Sequence, residues 1–440
     1  MSREWILLLG LLAASLRSPG GLADEVLRSE KIHAAAQGAE FHVTLQARAP
    51  NSSWEIEGRE CALLRVLVDG RYDQHLFLLG GPEAREYEFL IGPLSAGDHL
   101  LRLEWDRSWT PALQDPPELM SLSFHGLDPR DPAQEPLLRA PIIYLRKDTI
   151  GKFSDVPLLL YWDIENPQSS QAVTYTLILS NEDGGTNTPR LMARWGRTTD
   201  IEWCYAYAPS GDSLQETYQA RDHKTLPFRG RKEGLHPVLY DATRNNNFAD
   251  TPEDASEVRV RLFPLCAGLN GRARETIMDR FPWTYAVMAG EMKREKKIRD
   301  ALHPAEGQIA DLRDHAYLEI CSIQRGTELY FELQVRGSSR WFRSDRGDTK
   351  ARIERDGCAR SAIELPRGTR PEALRALRIQ CRAAPPAEGE KPVPSPRAEL
   401  LAVRRLFLLD RDFHPGRNLM EREIASSLKP GQSLTLRLTR

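Results

Sequence analysis

Beyond its first two dozen residues, this 440-residue sequence lacks any apolar run long enough to cross a membrane as a helix, which takes about 20 residues. Segments such as Val156 to Trp162 are short and bounded by polar residues, so they read as strands. No C-x-x-C pair occurs among the six cysteines, Cys61, Cys204, Cys266, Cys321, Cys358 and Cys381, which argues against zinc-ribbon and thioredoxin-like sites. H-E-x-x-H, EF-hand, G-x-S-x-G and phosphate-loop patterns are also missing. A charge excess is lacking too: the net charge is −2 with 28% charged residues of mixed sign. That balance argues against nucleic-acid binding or a membrane-surface role. No internal repeat is visible.

The N-terminus is the most specific feature. Arg3 precedes an apolar run from Trp5 to Leu16, and Gly21-Leu22-Ala23 precede Asp24-Glu25. A basic start, an apolar stretch of about a dozen residues and small residues at a cleavage position make a secretory signal. The expectation is a signal peptide at 1–23 and a secreted or periplasmic mature chain from Asp24, with no membrane span after cleavage. An oxidising compartment permits disulfides. Cys358 with Cys381 is the favoured pair and Cys266 with Cys321 the second, although connectivity does not follow from sequence.

The length implies two or three domains, and the composition of strands and turns implies a mainly β fold. From 24 to 127, short alternating strands suggest a β-sandwich: Glu40 to Leu45, Leu63 to Val68, Tyr87 to Ile91 and Leu100 to Trp105. Asp69-Gly70 is a hairpin turn signal. The Val68-Asp69-Gly70 hairpin and the Gly92 to His99 turn make this stretch resemble the small sandwich modules of secreted carbohydrate-active enzymes. The resemblance implies an aromatic platform, because a sugar's apolar face packs on aromatic rings. Trp54, Tyr72, Trp105 and Trp109 are the available rings. Asn51-Ser52-Ser53 is a glycosylation sequon.

A proline-bearing linker is expected at 128–139. A central β-rich domain follows at 140–336, then a C-terminal β region at 337–440 with a proline-rich loop at 384–396. One helix is predicted over Thr284 to Arg299, entered at Pro282, with Tyr285, Met288, Met292 and Ile298 on one face. Thr327 to Val335, Ala373 to Gln380, Leu401 to Leu409 and Leu434 to Leu438 read as later strands.

Chemistry should lie between Asn181 and Asp254. Asp200 and Glu202 are two apart, so a strand would point both carboxylates to one face. With Asp250 they are candidate ligands for a divalent ion such as calcium, which takes hard oxygen donors. His223 and His236 are candidate acid–base groups or zinc ligands. Asn245, Asn246 and Asn247 form a polar turn that could hold a ligand. The order Ala140 to Tyr144, Gly196 to Tyr207 and His236 to Phe248 is similar to the layout of the vacuolar protein sorting-associated protein 62 family, which implies a β-sandwich. By position, Asp200 and Glu202 match that family's acidic segment and Pro237 to Tyr240 its later strand. The chain has asparagines where that family has a histidine, so no shared ligand set follows. The favoured function is an exported protein binding a glycan or cell-surface component. The alternatives are a secreted polymer-cleaving hydrolase or lyase, metal-assisted or not, with Asp200 or Glu202 and a histidine as its acid–base pair, and a structural envelope protein.

Overall fold

The computed structural model describes residues 25–165, 172–182, 186–211, 213–253, 255–299, 307–386, 389 and 391–438. The expected signal segment, together with Asp24, Asp183, Gly184, Gly185 and Asp254, lies outside the described residues. The fold is mainly β, with six sheets and few helices among those residues.

Two sheets form an N-terminal sandwich. One runs in the order Glu25–Ala34, Gly97–Trp105, Ala62–Val68, Arg71–Leu78; the other is Arg85–Leu94, Ala39–Arg48, Glu118–Gly126. Alternation decides which face is inside: Val43, Leu45 and Ala47 are buried while Thr44 and Gln46 are half-buried on the opposite face. At the Asp69-Gly70 hairpin both residues take positive φ, 51° and 75°, and Val68 pairs with Arg71. That geometry matches the right-handed twist of the flanking strands and favours a glycine at its second position.

The segment expected as a linker holds a short 3-10 turn, Pro132–Gln134, and a one-turn helix, Glu135–Leu138. The central region then builds a six-stranded sheet in the order Lys224–Pro227, Ser213–Ala220, Asp200–Ser210, Ala172–Leu179, Pro157–Glu165, Pro264–Cys266. A second sheet contains Lys232–Glu233, His236–Asp241, Ile142–Arg146 and Ala255–Val260. The two share one core with Trp54, Phe77 and Leu90 of the first sandwich. Backbone bonds from Leu90 to Arg261 and from Phe263 to Glu88 fasten the first sandwich to the central sheets.

The predicted helix forms at Trp283–Arg294 and stops earlier than expected. Lys296 takes a left-handed φ of 58°, Lys297 N–H bonds Met292 O and Lys296 N–H bonds Lys293 O. This is a Schellman stop made without glycine, and it leaves Ile298 beyond the helix, in a bridge to Ile309.

The last two sheets form a sandwich of their own. One is Gly357–Glu364, His315–Arg325, Arg397–Leu408, Arg422–Leu428; the other is Trp341–Arg343, Thr327–Val335, Leu374–Ala383, Ser433–Arg437. The strands at 315–335 therefore pair with C-terminal strands, so the division expected at 336–337 falls inside this sandwich. Segment 384–396 joins its two sheets. Cys321 and Cys358 are direct cross-strand partners and form the disulfide. This corrects both expected pairings. Cys381 lies on the other sheet, buried and free, and Cys266 is free and exposed. Closing a loop over a sequence separation of 37 constrains the unfolded chain by about 4 kcal/mol in the chain-entropy picture.

The fully buried Arg360 fixes this sandwich against the central region. Its guanidinium bonds both oxygens of Asp279 at 3.1 and 2.8 Å, and Arg405 reaches the same carboxylate at 2.7 Å. Arg272 forks onto Glu319 at 2.7 and 2.9 Å.

Candidate ligand-binding cavity

Several pieces of chain build one polar cavity of about 410 Å³ in the central region, with Arg274 and Glu182 also in its lining. The first is the helix Thr188–Trp195. Asn187 caps it by accepting from Arg190 N–H, and Gly196 ends it in the left-handed region at φ 64°. A side chain at Gly196 would also collide with Arg360, so glycine is required twice over. Ser361 Oγ donates to Ala193 O at 2.7 Å, fixing the helix against strand Gly357–Glu364. The helix thereby delivers Leu191, Arg194 and Trp195 to the cavity wall.

Strand Asp200–Ser210 supplies Asp200, Glu202 and Trp203, and Gln219 comes from the neighbouring strand Ser213–Ala220. His223 follows in a tight turn in which both Asp222 and His223 take positive φ. The Asn245 to Asn247 segment turns between strand His236–Asp241 and the paired Phe248–Ala249. Asn246 adopts φ 48° there, a conformation asparagine tolerates.

The carboxylates differ. Asp200 is 1% exposed and accepts from Asn246 Nδ2 at 2.8 Å. Burial, reinforced by the nearby Glu202 and Glu182, pushes its carboxyl well above the usual range, outweighing the Arg197 charge and the Asn246 bond. Glu202 is more open and accepts from Gln219 Nε2 at 2.5 Å. His223 lies 3.7 Å from Glu202, and this contact raises the imidazole's pKa against the effect of burial. Amides meet both ring nitrogens: Asn245 at Nε2 (2.8 Å), Gln219 and Asn247 at Nδ1 (2.6 and 3.3 Å). A neutral imidazole has one donor and one acceptor nitrogen, so at least one amide must turn its oxygen to the ring. An imidazolium would require oxygens at both. Such a site can hold a protonated carboxyl beside an ion pair, which is the division of roles acid–base chemistry needs.

Asp200, Glu202, His223 and the three asparagines thus come together. Asn246 is fully buried, however, and spans Asp200 and Arg146, while Asn245 lines the cavity. His236 does not join them. It sits at the contact with the first sandwich, with Nδ1 2.7 Å from Ala140 O and Nε2 2.5 Å from Glu40. Asp250 is also apart, accepting from Arg229 N–H at 2.9 Å and facing Tyr218 OH at 3.5 Å. Tyr218 precedes Gln219 on one strand, and successive side chains point to opposite faces. The expected three-carboxylate calcium set is therefore not assembled, and no cluster of three or more His, Cys, Asp and Glu suited to a metal occurs among the described residues.

The expected aromatic platform is corrected as well. Trp54 is 6% exposed, donates to Leu79 O and packs against the central core, where Gly290 leaves room for it. Trp105 is 5% exposed, and Trp109 packs partly buried on the same core. Tyr72 stays 37% exposed, apart from the buried tryptophans, with its hydroxyl accepting from Arg259 N–H (3.1 Å) and bonded to His75 (2.7 Å). These rings hold the first sandwich together and to its neighbour. Trp195 and Trp203 instead line the cavity that holds Asp200, Glu202 and His223. Sequence reading passed over them and over Arg194, Arg197, Gln219 and Arg274. The available signal was the packing of cations around one tryptophan in Arg194-Trp195-Gly196-Arg197.

No protein-family model matches this chain, and no curated protein is found similar to it.

Proposed function

We propose that this is an exported glycan-binding protein whose ligand site is the central cavity. The observation that carries the reading is the lining itself. Two indoles stand with amides, carboxylates and guanidinium groups drawn from separate stretches of chain. Sugar hydroxyls need paired donors and acceptors, and sugar rings need an aromatic face. Export is supported by the N-terminal pattern and by the Cys321–Cys358 disulfide. The test is titration of the mature chain, from Asp24, with a panel of neutral and acidic oligosaccharides, following tryptophan fluorescence. Saturable binding that is lost in Trp203→Ala supports the reading; no response to any member of the panel refutes it.

A second reading, a polymer-cleaving enzyme, is favoured by one observation. Asp200, whose carboxyl burial pushes well above its ordinary value, shares one cavity with Glu202 and His223, so a candidate acid and a candidate base are within reach of one substrate. Release of reducing or unsaturated ends from a bound polymer, abolished in Asp200→Asn and in His223→Ala, would establish it. A bound polymer left intact would leave the binding reading alone.

A further inference from the structure

The cavity wall next to Trp195 carries more guanidinium groups than partners. Arg355 stacks on the Trp195 ring with its guanidinium carbon 3.7 Å from the ring centroid, and Arg197 and Arg194 lie over the same ring at 5.4 and 5.9 Å. Arg197 is taken by Glu275 at 3.0 Å, and Arg194 has a long contact to Glu354 at 3.5 Å. Burial pushes the Arg355 pKa down to about 9, and Arg274, Arg197 and Arg194 add to this against the pull of Glu275.

Arg274 lines the cavity, and its side chain makes no hydrogen bond or ion pair among the described residues. The carboxylates nearest to it are committed elsewhere. Glu275 holds Arg197, Glu202 holds Gln219 and faces His223, and Asp200 accepts from Asn246. Arg274 therefore keeps a planar fork of donors directed at no protein acceptor. Such a fork matches a carboxylate or sulfate bidentately, with each charge-assisted bond stronger than a neutral one.

We propose that the cavity contains an anion subsite, with Arg274 as the principal contact and Arg194 as the second, and that the glycan recognised carries a carboxylate or sulfate group. This deepens the proposed glycan-binding function and rests on it. Trp195, with Arg355 stacked on its ring, holds the guanidinium groups at this wall, and the lining amides and Glu202 take the hydroxyls.

The test is calorimetric titration of the mature chain with four probes: an oligogalacturonate, its carboxyl-reduced neutral counterpart, a sulfated galactan oligosaccharide, and sodium sulfate. Wild type and Arg274→Gln are compared, with melting temperature as the check on folding. The expected result is that at least one acidic oligosaccharide binds tighter than the neutral one by about tenfold or more. Arg274→Gln should erase that preference and leave neutral binding in place. Which acidic oligosaccharide is preferred separates carboxylate from sulfate. Should Arg274→Gln melt far below wild type, Arg194→Gln at the cavity mouth serves instead, with a smaller loss of the same preference expected. Equal binding of acidic and neutral oligosaccharides, or a preference untouched by either variant, overturns the subsite while the glycan reading stands. Binding of sulfate alone, lost in Arg274→Gln, keeps the subsite and overturns the glycan reading. No binding of any probe overturns both.

Discussion

The N-terminal sandwich and the central region handle buried polar groups in opposite ways. In the first, Asp106 is buried yet held well below the usual carboxylate range. Burial pushes it up, but hydrogen bonds from His75 and Ser108 and the charges of His75 and Arg65 more than offset that. In the second, burial wins. Asp200 is raised well above its ordinary value, and Asp241, with Arg146 no nearer than 3.5 Å, is pushed up to about 7. The aromatics divide in the same way: Trp54 and Trp105 are spent on packing, while Trp195 and Trp203 face a cavity. A carboxylate satisfied by its own neighbours, as Asp106 is, serves the scaffold. A buried carboxyl with a raised pKa and a guanidinium left unbonded have interactions to offer a ligand.

The comparison breaks most easily at the tryptophans. Trp54→Ala should cost about 3–5 kcal/mol, as truncation of a buried Trp does, and leave the affinity of the folded fraction for glycan unchanged. Trp195→Ala should cost less stability and weaken binding by about tenfold, the scale of a lost aromatic contact. Denaturant melts paired with fluorescence titrations would read both. Equal effects of the two substitutions on affinity would dissolve the distinction between scaffold and site.

The histidines give the next test. His236→Ala leaves the buried Glu40 without its 2.5 Å partner, so a loss of about 2–3 kcal/mol is expected. His223 is half exposed and bonded to amides that water can satisfy, so His223→Ala should cost under about 1 kcal/mol while changing the pH dependence of binding. Urea unfolding at neutral pH would separate the two.

Acid and base limbs of stability should also divide by region. Asp106 has a lowered folded pKa, so its contribution is present above the ordinary carboxylate value of 3.8 and is lost as pH falls through the folded value. Asp200 and Asp241 have raised folded pKa values. Their contribution is complete below 3.8 and is lost as pH rises, through about 7 for Asp241. The raised His223 acts in the same direction above its ordinary value of 6.5. Asp200→Asn should therefore flatten the alkaline limb, and Asp106→Asn the acid limb, in melting curves from pH 3 to 9. An alkaline limb unchanged by Asp200→Asn would show that this carboxyl is ionised in the folded protein.

The smallest effect expected is that of metal removal. Because Asp250 faces away from Asp200 and Glu202, excess chelator should leave the melting temperature unchanged; a calcium-rescued loss would restore the metal site.

Much of the strand pattern was legible from local signals. Thr327–Val335 alternates cleanly, Asp69-Gly70 makes the hairpin that two positive φ values demand, and a two-residue spacing put Asp200 and Glu202 on one face. These are properties of a few adjacent residues. The disulfide partner of Cys321, the locking of His236 against Glu40, the burial of Trp54 and the meeting of Arg274 with Trp195 in one cavity depend on which strands pair and which surfaces dock. Each joins positions far apart in the chain, with no local propensity to announce the contact. The sequence by itself determined the β alternation, the turns and the pairing of two carboxylates on one strand. The tertiary structure alone decided which aromatics became core, which histidine met those carboxylates and which arginine was left unbonded, because burial and partner geometry exist only once the sheets have packed.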